Sequence, residues 1–328
     1  MEVPHTILMV GHTANVSYYL SKYLKRQGYA VERASFSFRK DVPVYIRKDG
    51  VKFLETHKAA DIPKYVNQIS KKYDVIHFFG CMDLNALCAI LLKLRWKKEV
   101  IHCLGSDLRN LNLRSGNLKN TSWNLIKKTA LRVVDKVIVT TPDLLSRFPK
   151  AKLIFAPLDL EFYRPFKTDL YDRLHQGVDY VLFHPATNPK LKGTHKVREA
   201  FKRLKKEYSV RLISTNKIPF HKMPEYYNAV DVVLGEFKYG ALCYVSLEAM
   251  ACKRPAVTYL KFWRWYSDKP PILSASTALE IYSSLTLLLD DPNLRNKLGE
   301  EGREFVKKYY DAEKIAKQVS EVYSKLFG

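Results

Sequence analysis

The chain has 328 residues, 47% of them apolar and 27% charged, with 55 Lys and Arg against 33 Asp and Glu. That length admits two ordinary domains or one large one, and that composition excludes a disordered chain. The formal charge of +22, about +14 of it within residues 1–165, calls for a polyanionic partner: nucleotide-sugar phosphates, an anionic membrane or nucleic acid. A lysine-rich surface of the kind common in proteins from hot habitats is the plainer reading of the same charge.

The first apolar run, 6–10, is too short for a signal sequence and ends at Gly11, so it reads as a buried first strand. The longest apolar run, 86–92, stops at Lys93, far short of the ~18 residues needed to cross a bilayer. Five cysteines (Cys81, Cys88, Cys103, Cys243, Cys252) are odd in number and lack metal-ligand spacing. They read as small core residues of a cytoplasmic protein, with no metal site.

Apolar runs predict strands over 7–10, 30–35, 75–79, 100–103, 136–140 and 153–156, with helices over 16–27, 62–72, 83–96 and 122–134 between them. After a joint at 157–177 the alternation resumes. Strands are predicted over 181–183, 210–214, 230–234 and 255–259, and helices over 195–207, 223–229 and 247–252. A helical pattern covers 278–326. Strand–helix alternation predicts parallel α/β sheets with ligands at the carboxyl ends of the strands.

Polar groups collect after those strand ends. Gly11 and His12 follow the first strand; Gly11 allows close backbone approach, although no Gly-x-Gly-x-x-Gly fingerprint is present. His77, His102, Asp107 and Arg109 lie in or just beyond later strands. A strand histidine is more often a hydrogen-bonded core residue than a catalyst, and Asp107 can equally cap the segment that follows it. Residues 108–134 carry Arg109, Arg114, Lys119, Lys127, Lys128 and Arg132 with Trp123, Leu125, Ile126 and Leu131 interleaved. Such a stretch suits an interfacial membrane helix, an ordinary surface helix or a single-stranded nucleic acid. Lys261-Phe-Trp-Arg-Trp-Tyr266 is a second basic-aromatic cluster, suited to an acceptor channel or to packing.

In the second half, Asn188, Lys190, Lys192 and Gly193 form a polar loop between strand and helix, an anion site in principle. Glu248 is predicted near a helix start. There it can accept two hydrogen bonds from a vicinal diol, as the acidic residue of a dinucleotide fold does for a ribose.

The segment from Glu248 through Ala-Met-Ala-Cys-Lys-Arg to Pro255-Ala-Val resembles the C-terminal signature of retaining GT-B glycosyltransferases of family four. The family's first glutamate falls on Gly240, and Glu236 lies one turn earlier. His184, Thr187, Asn188, Lys192, Gly193 and Thr194 match the family's donor-loop form, with Pro189 where Arg is usual. Asp74-Val-Ile-His77 and the segment from His102 to Arg109 resemble its N-terminal motifs, with Leu104 where His or Gln is usual. The tail from Leu285 to Tyr310 is similar to its closing helices.

The resemblance implies an α/β, GT-B chain with two doubly wound Rossmann-like domains facing a central cleft. An acceptor domain would span 1–160 and a donor domain 161–311, the helix 312–328 able to cross back to the first. It implies a nucleotide-sugar donor held by Asn188, Lys190, Lys192, Gly193, Gly240, Ala241, Leu242 and Glu248. Lys190, Lys192 and the helix start take the diphosphate; Glu248 takes the ribose hydroxyls. His102, Glu236 and Lys192 are the expected catalytic groups. Gly11, His12, His77, Asp107 and Arg109 are expected to line the acceptor side. No cofactor and no metal are expected. A lipid-linked or envelope-glycan acceptor at the inner face of an anionic membrane fits the basic first half. A nucleic-acid acceptor, or a binding protein whose catalytic site has decayed, are the competing readings.

Overall fold

The computed structural model describes residues 5–11, 15–36, 51–54, 59–109, 111, 118–215 and 217–327. The chain divides into two compact units, Met1–Pro157 with Ala312–Gly328, and Leu158–Asp311.

The first unit runs β1 (Thr6–Val10), α1 (Val16–Arg26), β2 (Ala30–Phe36), β3 (Val51–Leu54), α2 (Ile62–Lys72) and β4 (Val75–Phe79). It continues with α3 (Asp83–Lys93), β5 (Lys98–Cys103), α4 (Ser106–Arg109), α5 (Leu118–Val133), β6 (Lys136–Val139) and β7 (Lys152–Leu153). The strands pair in parallel in the order β3-β2-β1-β4-β5-β6-β7. One face buries Leu8, Val10, Ile76, Phe78, Ile101 and Cys103 against α2, α3 and α5. Each fully buried aliphatic side chain contributes about 1.5–3 kcal/mol. Because helices cover a parallel sheet on both sides, its strands read as continuous apolar runs, and that made them visible in the sequence. β3, only four residues long, did not stand out.

The second unit contains α6 (Leu170–His175), β8 (Tyr180–Phe183), α7 (Pro189–Lys192), α8 (Thr194–Leu204), β9 (Val210–Ile213) and α9 (Met223–Asn228). Then come β10 (Val232–Leu234), α10 (Tyr244–Ala251), β11 (Ala256–Thr258), β12 (Leu273–Ser274), α11 (Ala278–Asp290) and α12 (Pro292–Tyr309). Its parallel sheet has the order β12-β11-β10-β8-β9. The predicted helical tail is three helices. Asp291 breaks it by capping α12 through the Leu294 N–H (2.9 Å), with Pro292 at the first helical position. The last helix, α13 (Ala312–Phe327), belongs to the first unit. It buries Ile315, Val319, Val322 and Tyr323 and packs along α1.

Within the described part of the basic stretch 108–134, α5 packs one side on the sheet. Ala130, Leu131 and Val134 join the core, and Lys127 pairs with Asp83 at 2.6 Å. Residues 110 and 112–117 lie outside the described residues.

Candidate active site

In an open α/β sheet the ligand crevice lies where the strand order reverses, beyond the carboxyl ends of the two strands flanking that point. In the second unit this is between β8 and β10. The loop after β8 carries Asn188–Gly193, the loop after β10 carries Glu236–Leu242, and the helix that follows carries Glu248.

The two loops are fastened to each other. The Phe237 N–H donates to the Lys192 carbonyl (3.3 Å). Lys196 Nζ donates to the carbonyls of Phe237 (3.0 Å) and Ser276 (2.7 Å). Gly193 has φ +71°, and a Cβ there would stand 3.0 Å from that of Phe237, so the crossing requires glycine. His184 at the end of β8 completes the clamp: Nδ1 donates to the Leu234 carbonyl, and Nε2 accepts from the Thr194 hydroxyl, both at 2.9 Å. Burial pushes its pKa down to about 4, so the imidazole stays neutral and this tautomer persists.

Glu248 lies in the body of α10, not at its start, so the helix dipole does not hold it as the sequence suggested. Tyr227 holds it instead, its hydroxyl donating to Oε2 at 2.6 Å, with Tyr163 adding a second hydroxyl. The residue reaches solvent in part, and its carboxylate is held against the two phenols. Burial raises its pKa from 4.5 to about 7 despite both phenols and the charge of Lys192. Lys192 and Glu248, 56 positions apart in sequence, thus lie within electrostatic reach of one another.

Lys190 is exposed and lines an open groove of about 590 Å³ with Pro189, His195, Arg198 and Lys202, a lining that does not include Lys192. The Asn188 side chain accepts from the Leu191 N–H (3.1 Å), a cap for the turn rather than a free ligand group.

The expectation that Glu236 is a catalytic carboxylate is corrected. Glu236 is 4% exposed, and its side chain accepts from the N–H groups of Lys238 and Tyr239. It shapes the loop. Gly240 has φ +77°, and a Cβ there would meet Lys261 Cβ at 2.6 Å and the Tyr259 ring at 3.0 Å. No glutamate fits where the family pattern has one. Ala241 and Leu242 beside it are buried.

In the first unit the reversal point falls between β1 and β4. Gly11 (φ +111°) packs so closely on β4 that a Cβ would be 2.7 Å from the Phe79 carbonyl oxygen. His12 lies outside the described residues. The catalytic role expected of His102 is also corrected. His102 is fully buried within the sheet, neither ring nitrogen has a partner, and burial pushes its pKa down to about 3. His77, equally buried, stacks on Phe79 (4.4 Å) and on His102 (5.3 Å), and hydrogen-bonds Tyr323 of α13 through Nδ1 (2.6 Å). Both are core residues, not crevice groups.

Asp107 is a cap: it accepts from the N–H groups of Gly105 (2.8 Å), Leu108 (3.1 Å), Cys81 (3.0 Å) and Leu104 (3.3 Å). Arg109 grips Asp143 with Nε (2.7 Å) and Nη2 (3.0 Å). Burial pushes Asp143 up, but hydrogen bonds from Arg109 and Thr141 outweigh it and hold the carboxyl below its ordinary range. These two residues build the loops after β4, β5 and β6. Sequence reasoning missed Tyr163, Tyr227 and Lys196, because nothing local in the chain marks a partner 21 to 85 positions away.

Residues 187–321 match the family described as glycosyl transferase-like. No curated protein sequence matches the chain. Among solved structures, the sucrose-phosphate synthase of Thermosynechococcus elongatus is similar over 98% of this chain and 99% of its own, at 18% identity and a TM-score of 0.72. The Anabaena protein HepE, solved with UDP-glucose, is similar over 98% and 100%, at 16% identity and 0.74. The catalytic domain of starch synthase IV from Arabidopsis thaliana, bound to ADP and acarbose, is similar over 98% and 99%, at 14% and 0.67. At these identities the likeness shows the fold, which is GT-B. The fold and the crevice at β8 and β10 therefore define the class, a GT-B protein.

Proposed function

We propose that this glycosyltransferase moves a sugar from a nucleotide-sugar donor to a lipid-linked or envelope-glycan acceptor, with retention and without a metal. The carrying observation is the fastening of the β8 and β10 loops, which sets Lys192 in the field of Glu248. Glu248, oriented by Tyr163 and Tyr227, accepts from the ribose diol. Lys192 and the first N–H groups of α8 stabilise the charge that develops on the departing diphosphate, usually the largest single contribution to catalysis. Structural relatives solved with UDP-glucose or with ADP support a UDP or ADP donor. Retention rests on the resemblance of 239–257 to the retaining group.

The membrane side of the reading is supported by a turn in the first unit. Trp96 follows α3 with φ +57° and is 91% exposed; Leu94 is 75% exposed. Arg95, Lys97 and Lys98 flank them. A left-handed tryptophan stands where glycine usually ends a helix, and an anionic leaflet offsets that strain with about 1 kcal/mol per nearby cation.

Thermal-shift titration with nucleoside diphosphates and their sugars tests the donor site. At least one stabilises the wild type, and Glu248→Ala and Lys192→Ala lose the shift. A shift retained in both variants overturns the site. Flotation with anionic liposomes tests the turn: Leu94→Ser with Trp96→Gly reduces binding, and unchanged flotation overturns that part.

A further inference from the structure

The cluster Lys261–Tyr266 is anchored directly to the donor loop. The Gly240 carbonyl accepts from the N–H groups of Lys261 (2.8 Å) and Phe262 (3.1 Å). At the other end, the Tyr266 ring is buried against Phe305 (5.2 Å) and its hydroxyl pairs with that of Tyr310. The Ser267 N–H is held by the Tyr309 hydroxyl (3.1 Å). Between these anchors the backbone makes one 3-10 turn, and its side chains point outward. Trp263 is 40% exposed and Trp265 is 51% exposed. Packing explains neither ring, since the turn is already fixed by Gly240 and Tyr266.

Charge gathers on the same turn. Arg264 lies over the Trp263 ring at 5.4 Å, Lys261 over Phe262 at 5.8 Å and Lys238 over Tyr239 at 5.9 Å. The acid of the segment, Asp268, is neutralised by Lys308. The turn follows β11, the neighbour of β10, so it stands at the same carboxyl edge of the sheet as the proposed donor crevice.

We propose that this turn is an acceptor subsite for an acidic saccharide, one bearing uronate or phosphate groups; the assignment rests on the transferase reading above. The apolar face of a pyranose stacks on an indole. Arg264 and Lys261, held by their own aromatic neighbours, take the anionic substituents. Side chains already ordered in this way lose little entropy on binding. A neutral glycan would satisfy the rings and leave the cations without partners. A single-stranded nucleic acid would also stack and pair with cations. The cluster nevertheless presents its rings on one short turn rather than along a groove that tracks a backbone.

Calorimetric titration with an alginate hexasaccharide, maltohexaose and a dT12 oligonucleotide tests this. Alginate binds the wild type at least tenfold more tightly than maltohexaose. Trp263→Ala with Trp265→Ala weakens alginate about tenfold, ~1.4 kcal/mol, and Arg264→Gln weakens it likewise. Both substitutions are on exposed side chains, and an unchanged nucleotide thermal shift shows that the fold and donor site persist. Equal alginate affinity in the double variant means charge alone binds the glycan and overturns the subsite. Tighter binding of dT12 than alginate, lost in the double variant, overturns it in favour of nucleic acid. If no nucleotide shifts the wild type while alginate behaves as stated, the transferase reading falls and the saccharide surface stands.

Discussion

Replacing Glu248 by Gln should make the ligand-free protein more stable at alkaline pH while abolishing donor binding. The native carboxyl has its pKa raised from 4.5 to about 7 by burial. A raised carboxyl pKa means that the folded state holds a proton which the unfolded state has released, so the carboxylate destabilises the fold once it ionises. The cost vanishes well below pH 4.5, grows as pH rises between 4.5 and 7, and levels off above 7. At 1.36 kcal/mol per pH unit it amounts to about 3 kcal/mol, an upper bound because the residue is partly exposed. Glutamine has the same shape, and its amide oxygen can still accept from Tyr227. Denaturant unfolding at pH 4, 5, 6, 7, 8 and 9 reads the difference: smallest at pH 4, below about 1 kcal/mol at pH 5, and rising to about 1–3 kcal/mol in favour of the variant at pH 8. Donor nucleotide at 100 times its Kd then adds about 2.7 kcal/mol to the wild type and nothing to the variant. A difference that stays flat across pH, or a wild type more stable than the variant at pH 8, refutes the reasoning. Donor affinity of the wild type should rise from pH 6 to pH 8, because the diol needs the ionised form as acceptor.

Three further substitutions separate architecture from chemistry. Gly240→Glu, which restores the family's glutamate, should destabilise the protein by about 1–3 kcal/mol through the left-handed backbone and the contact with Lys261; a stable variant with raised transfer activity would contradict this. His102→Leu removes two buried, unpaired nitrogens and should leave stability equal or raised by about 1 kcal/mol. Its nucleotide shift and turnover should be intact, and a hundredfold fall in turnover with an intact shift would return His102 to the chemistry. Asp107→Ala strands the N–H groups of Cys81, Leu104, Gly105 and Leu108. It should cost about 2–4 kcal/mol in chemical unfolding, and a loss below 0.5 kcal/mol would show that solvent replaces the cap.

The two kinds of sequence signal differed in how far they reached. Apolar runs and the 3.6-residue pattern located most of the strands and helices, since burial on both faces of a parallel sheet leaves continuous apolar segments. The same double burial misled the reading of the histidines. In such a sheet a polar residue inside a strand is enclosed whichever way it points, and only residues beyond the strand end reach the crevice. His77 is the third residue of β4 and His102 the fifth of β5, so both are trapped between sheet and helices. Gly11, Gly80 and Gly105, each just past a strand, mark where the crevice edge begins. In the second unit the functional candidates were named from positions past strand ends, and two of them, Lys192 and Glu248, lie within electrostatic reach of one another. What the sequence could not reveal was the division of labour. Glu236 and Asn188 have the chemistry of ligand groups, yet each turns back on its own loop, because a short polar side chain beside free N–H groups finds them before any substrate does. Glu248 escapes that fate because α10 already pairs the backbone around it, leaving its carboxylate to Tyr227, Tyr163 and whatever enters the crevice. A carboxylate kept in a costly position, with no local backbone to satisfy it, is what supports the proposal that Glu248 is a binding group rather than a scaffold.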